Sequence, residues 1–190
     1  TANSGAGSLR QAILDAGPCD VITFSPALNG LTVQFVGSES ISKNLTIIGN
    51  GAANTKITSG NTDRMLNIET GYTVSMSNLT LQNFGGFYIG GGAFLVRGVL
   101  NMNNCVVKDC KALGGGVFSI DAGSVSNIDK CEFTGNQSQG RGGVFYGTGT
   151  ITVANSTFAG NTATDIAGAI GNFGSTTISN STFTGNTSGN

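Results

Sequence analysis

Five segments of this chain lie under one another: VSMSNLTLQNF from Val74, LNMNNCVVKDC from Leu100, VSNIDKCEFTGN from Val125, ITVANSTFAGN from Ile151 and TTISNSTFTGN from Thr176. Their starts are 26, 25, 26 and 25 residues apart. A second motif falls between them. It reads GGAF at Gly91–Phe94, GGVF at Gly115–Phe118 and Gly142–Phe145, and a looser GAI at Gly168–Ile170. A period of this length marks a solenoid, in which each unit buries its apolar face only by stacking on its neighbours. Function in such a chain is sought on the outer surface or at the ends.

The repeats are read as strands. In the unit Gly142–Ala167, Gly142–Phe145, Ile151–Val153 and Thr157–Phe158 alternate or run apolar and are separated by Gly, Asn or Ser corners. Three strands per turn of about 25 residues, all returning in one sense, predict a right-handed parallel β-helix. Its coils are expected about 4.8 Å apart. Two columns are apolar in every unit and are assigned inward: Met76, Met102, Ile128, Val153, Ile178 and Leu81, Val107, Phe133, Phe158, Phe183. Two more are read as structural ladders at corners. One runs Asn78, Asn104, Lys130, Asn155, Asn180; the other ends in Asn136, Asn161, Asn186. Asn tolerates the left-handed conformation at a corner and can bond to the Asn above and below.

Residues 1–30 are read as an N-terminal cap and 31–190 as the β-helix, with regular coils from about Val74. Leu9, Ala12, Ile13 and Ala16 form one apolar helical face behind the N-cap Ser8. Gly17-Pro18 ends the helix, and Asp20–Phe24 is the first strand. Such a helix covers a first coil whose edge would otherwise recruit another chain. No comparable cover is visible over Thr184–Asn190, so either the array continues or the open last coil meets a partner chain.

Composition narrows the chemistry. Charged residues are 10% of the chain, against roughly 25% in ordinary soluble domains. The nine basic residues are scattered, which excludes a nucleic-acid surface. No apolar run approaches the ~20 residues of a membrane span. Histidine is absent, and with it the commonest general base and zinc ligand. No metal, cofactor or catalytic residue is assigned. A sugar-cleaving β-helix needs carboxylates converging on one face. Here Glu132 shares its column with Val106 and Thr157, and Asp129 shares its own with Asn103 and Ala154. Asp129, Lys130, Glu132, Lys108, Asp109 and Lys111 are read as a solvated cross-coil ion-pair cluster.

Cys105 and Cys131 share an inward column on consecutive coils, with Cα atoms expected about 5 Å apart, within disulfide range. Nearly parallel Cβ vectors leave the reading as two buried thiols open. Six N-x-S/T sequons begin at Asn44, Asn78, Asn136, Asn155, Asn180 and Asn186. They are glycosylation candidates, although a repeat rich in Asn, Ser and Thr generates such triplets by chance.

The GG[AV]F and FxxN motifs, the latter at Phe133–Asn136, Phe158–Asn161 and Phe183–Asn186, resemble the repeats of chlamydial polymorphic outer-membrane proteins and related bacterial surface β-helices. Gly7-Ser-Leu-Arg-Gln-Ala-Ile13 is similar to the segment that opens many such secreted helices. The resemblance covers residues 5–25 and 74–190. It implies an extracellular or cell-surface, non-enzymatic, structural or adhesive protein, at most a passenger piece. The expected partners are copies of itself, stacked head to tail as a filament, or host and glycan surfaces. A carbohydrate-binding or carbohydrate-cleaving β-helix is the alternative. Ice binding is a third reading, weakened because Glu132 interrupts the outward Thr80, Val106, Thr157, Thr182 column.

Overall fold

The computed structural model describes residues 2–88 and 90–189. Thr1, Ile89 and Asn190, the last being the end of the terminal segment named above, lie outside the described residues. The chain is a parallel β-solenoid of about seven turns. Two seven-stranded sheets run its length. Sheet A stacks Asp20–Thr23, Leu45–Ile48, Thr73–Ser77, Val99–Asn103, Val125–Asp129, Thr150–Ala154 and Thr176–Ser179. Sheet B stacks Thr32–Gln34, Lys56–Thr58, Thr80–Gln82, Val106–Lys108, Glu132–Thr134, Thr157–Ala159 and Thr182–Thr184. Sheet C has six strands, from Glu39–Ile41 through Leu66–Ile68, Phe94–Val96, Phe118–Ile120 and Phe145–Gly147 to Ile170–Asn172. The early irregular turns thus belong to the same sheets as the regular coils.

Two details differ from the sequence reading. A fourth sheet, D, joins Lys111–Ala112, Gln137–Ser138, Thr162–Ala163 and Thr187–Ser188, so the later coils carry four strands rather than three. Its two-residue strands are too short to leave a periodic signal. The register also corrects one repeat. Leu100 pairs with Ser126, not Val125, and Ser126 pairs with Ile151. The steps from Val74 are therefore 26, 26, 25 and 25 residues. The shift places Ser126 inward, between Leu100 and Ile151.

The apolar columns meet as aligned. Met102 pairs with Met76 and Ile128, and Phe158 with Phe133 and Phe183. The GG[AV]F phenylalanines form a second stack inside: Phe118 lies 5.3 Å from Phe94 and 4.2 Å from Phe145, ring on ring. This stack meets the Phe133–Phe158 stack edge to face, at 5.7 Å between Phe118 and Phe133. Full burial of each ring contributes roughly 1.5–3 kcal/mol.

Left-handed backbone makes the corners. Asn78, Asn104, Lys130, Asn155 and Asn180 have φ between 47° and 58° and turn sheet A into sheet B. The second corner is held by Asn83, Asp109, Gly135, Gly160 and Gly185, each one residue before the inward ladder position. The third is Gly91, Gly115, Gly142 and Ala167, at φ 63° to 68°. A Cβ on Gly142 would stand 1.8 Å from the Phe145 carbonyl oxygen, which is why the GG motif recurs.

At the N-terminus, helix α1 (Leu9–Asp15) is capped by Ser8, whose Oγ accepts from the Gln11 N–H. It buries Leu9 and Ile13 against the first coils. Arg10 donates to Glu39 and the Val36 and Gly37 carbonyls, and Lys43 to the Ala16 carbonyl. Among the described residues no helix is long and apolar enough to cross a membrane.

Candidate functional site

The asparagine ladders have different environments. Asn104 Nδ2 donates to Asn78 Oδ1 at 2.7 Å on the surface. Asn155 donates instead to Asp129, because Lys130 interrupts that column. Asn136 and Asn161 are not corner residues. Both are fully buried at 0% exposure, facing the core beside the phenylalanine stack. Asn161 Oδ1 accepts the Asn136 backbone N–H and side-chain Nδ2, while Asn161 Nδ2 donates to the Phe133 carbonyl and to Asn186 Oδ1. The ladder supplies the polar groups that the inward-turning backbone needs where no water reaches.

This placement bears on the sequons. The Asn136 amide nitrogen is sealed inside and donates to the Val107 carbonyl and Asn161 Oδ1, so the folded coil has no room for a glycan there. Asn186 Nδ2 donates to the Phe158 carbonyl and is half-buried, and Asn78 is half-buried beneath Asn104. Asn44, Asn155 and Asn180 are exposed.

The cysteines of the inward column are free thiols. Cys105 Sγ donates to the Asn103 carbonyl and Cys131 Sγ to that of Asp129. Contact with Cys105 and burial push the Cys131 thiol up, and burial pushes Cys110 up to about 12. Cys110 and Cys131 therefore stay protonated at neutral pH and behave as small core residues. Of the expected ion-pair cluster, the structure joins only Lys130 and Asp129, at 3.9 Å on the surface. The cross-coil pairs lie elsewhere: Arg97 with Glu69 and Asp121, and Arg141 with Asp165. Among the described residues no group of three His, Cys, Asp or Glu could hold a metal.

A surface site forms where sheet D turns into sheet C. The A-to-B and B-to-D links have constant length in the regular coils, whereas the D-to-C and C-to-A links both vary. From sheet D to the left-handed corner the D-to-C link runs Lys111 to Gly115, then Gln137 to Gly142, then Thr162 to Ala167. Length variation between repeats commonly collects on a binding face. A shallow groove of about 370 Å³ lies at the D-to-C corner, lined by Gly90, Leu113, Gly114, Ser119, Gly140, Arg141, Tyr146 and Asp165. Tyr146 points outward from sheet C because its neighbour Phe145 points in. Its ring meets that of Phe173 edge to face at 6.1 Å, and Phe173 is 63% exposed. The Arg141 guanidinium stands 6.0 Å over the Phe173 ring, and its Nε donates to Asp165 at 2.9 Å. A Cβ at Gly114 would come within 3.3 Å of the Tyr146 ring, so glycine there keeps the floor open.

Aromatic faces edged by a planar ion pair can stack on an apolar ring face and exchange hydrogen bonds with hydroxyls around it. Asp165, the carboxylate lining the groove, is engaged by Arg141. Arg141, Tyr146 and Phe173 were not singled out from sequence. Tyr146 and Phe173 are brought together only by coil stacking, and the available signal was the uneven spacing before each GG motif. No protein-family model, curated protein or solved structure matches the chain.

Proposed function

We propose that this chain is a non-enzymatic recognition solenoid, a passenger-type piece of a secreted or cell-surface adhesive protein, and that it binds glycan in the groove at the D–C corner. The observation that carries this reading is Tyr146, which lines the groove with Arg141 and Asp165, and the exposed Phe173 ring outside the groove lining that packs against it. Phe173 is exposed and Tyr146 half-buried beside it, and apolar surface gathered in one place marks an interaction site. The ion pair offers both donors and acceptors, which suits neutral sugar hydroxyls better than an acidic chain. The GG[AV]F and FxxN repeats support the bacterial surface class by resemblance.

Cleavage has less support. Asp165 is paired with Arg141, and Asp129 accepts from Asn103 and Asn155. Both carboxylates are thus already engaged, whereas cleavage needs a pair of carboxyl groups facing the scissile bond. Stacking of copies head to tail is disfavoured because α1 occupies the face that the neighbour's last coil would need. The test is a glycan array probed with the intact chain, alongside a polysaccharide-cleavage assay with and without Ca²⁺. Binding to a subset of neutral oligosaccharides without cleavage supports the reading. Turnover of any polysaccharide overturns it.

A further inference from the structure

The groove at the D–C corner crosses four consecutive coils. Gly90 opens it, Leu113 and Gly114 lie one coil on, Arg141 and Tyr146 on the next, and Asp165 closes it. Exposed apolar side chains continue it beyond both ends. Between residues 37 and 175, the large apolar side chains exposed among the described residues are Phe87, Tyr88, Leu113, Ile166 and Phe173. All five lie at this corner or at the far edge of sheet C. Apolar surface gathered on one side marks an interaction site. Phe87 and Tyr88 are there because one link is longer. Gly85 pairs with Lys111 and Gly90 with Gly114, so an advance of five residues on one coil answers three on the next. The Phe87 ring is already engaged, with Lys111 Nζ 6.0 Å from its centre. Tyr88 is held but uncovered. Its hydroxyl donates to the Thr62 carbonyl, and its ring lies against Gly86, where a Cβ would come within 2.5 Å. The residue is still 67% exposed.

We infer that the groove is the middle of a longer track and that its ligand is a neutral polysaccharide held along its length, one part of the chain on Tyr88 and another on Tyr146 and Phe173. The inference rests on the glycan reading of the groove and adds the length and direction of the ligand. Tyr88 and Phe173 belong to coils three steps apart, roughly 14 Å along the axis at ~4.8 Å per step. A single sugar does not bridge that span; a chain of sugars does. An added peptide strand has no ladder to join here. Phe94–Val96, Phe118–Ile120 and Phe145–Gly147 of sheet C are each paired on both sides. Aromatic rings at both ends suit the apolar faces of successive sugar rings. Between them Ser119 lines the groove and offers a hydroxyl. Arg141 and Asp165 neutralise one another, which favours an uncharged chain.

The test is calorimetric titration with cello-, manno- and xylo-oligosaccharides, from the disaccharide to about six sugar units. It is run on the unaltered chain, on Tyr88→Ala and on Tyr88→Phe. In the series that binds, affinity is expected to rise at least about tenfold from the shortest member to the longest. Tyr88→Ala is expected to leave the disaccharide affinity unchanged and to remove the gain with length; Tyr88→Phe is expected to keep that gain. The unchanged disaccharide affinity also shows that the Ala variant is folded. Affinity independent of length in the unaltered chain, or a gain that survives Tyr88→Ala, overturns the track and leaves the groove standing. Equal loss at every length in Tyr88→Ala overturns it as well, because Tyr88 would then act on the groove itself. Failure of all three series to bind overturns both the track and the glycan reading.

Discussion

Asn161 Oδ1 accepts two hydrogen bonds from Asn136, from its backbone N–H at 3.0 Å and its side-chain Nδ2 at 2.9 Å, inside a fully buried column. Replacing Asn161 with Ala strands both of those donors and the Phe133 carbonyl that its own Nδ2 serves. Each buried group left unpaired costs about 1–3 kcal/mol. Asn161→Ala is expected to lose roughly 3 kcal/mol or more of unfolding free energy. Asn155→Ala, at an exposed left-handed corner, is expected to lose only about 1–2 kcal/mol. Urea unfolding of the two variants checks the contrast.

Ser126 presents the opposite case. Its Oγ is buried between Leu100 and Ile151 and has no hydrogen-bond partner. Removing an unpaired buried hydroxyl recovers its desolvation cost. Ser126→Ala is expected to raise stability by about 1 kcal/mol, read as a higher urea midpoint with unchanged slope.

Ala167 stands at φ 63°, where the equivalent positions hold Gly115 and Gly142. A left-handed non-glycine residue costs about 1–2 kcal/mol, and the extra chain entropy of glycine returns part of that. Ala167→Gly is expected to gain about 0.5–1 kcal/mol. Thermal unfolding of the variant reads the gain as a raised Tm.

Burial raises the Cys110 thiol from 9.0 to about 12. The folded state therefore holds this proton where the unfolded state has released it. Its contribution is full below about pH 9 and is lost as pH rises toward 12. Cys110→Ala is expected to flatten that part of the alkaline decline, measured as unfolding free energy against pH for the two proteins. An unchanged slope would show that the thiol ionises as freely folded as unfolded.

What the sequence disclosed follows from how each feature repeats. Phe133, Phe158 and Phe183 were legible because an inward apolar residue returns every coil. The Ser126 register was not, because Val125 imitates the apolar start of its neighbours one residue early. Asn136 and Asn161 looked like corner residues, since Asn suits corners. The glycines just before them take the left-handed turn, which frees each Asn to point inward. The groove was hidden for a different reason. Tyr146, Phe173, Arg141 and Asp165 are spread over two coils, and only the stacking of those coils makes them one surface.

The glycan groove is tested most directly by isothermal titration of a neutral oligosaccharide selected on the array against three proteins: the unaltered chain, Tyr146→Ala with Phe173→Ala, and Thr152→Ala on the outer face of sheet A. The double variant is expected to weaken binding at least about tenfold, as loss of aromatic contacts does, with its fold intact by circular dichroism. Thr152→Ala is expected to bind as the unaltered chain does. Unchanged affinity in the double variant, or loss confined to Thr152→Ala, would contradict the assignment of the D–C corner as the binding site.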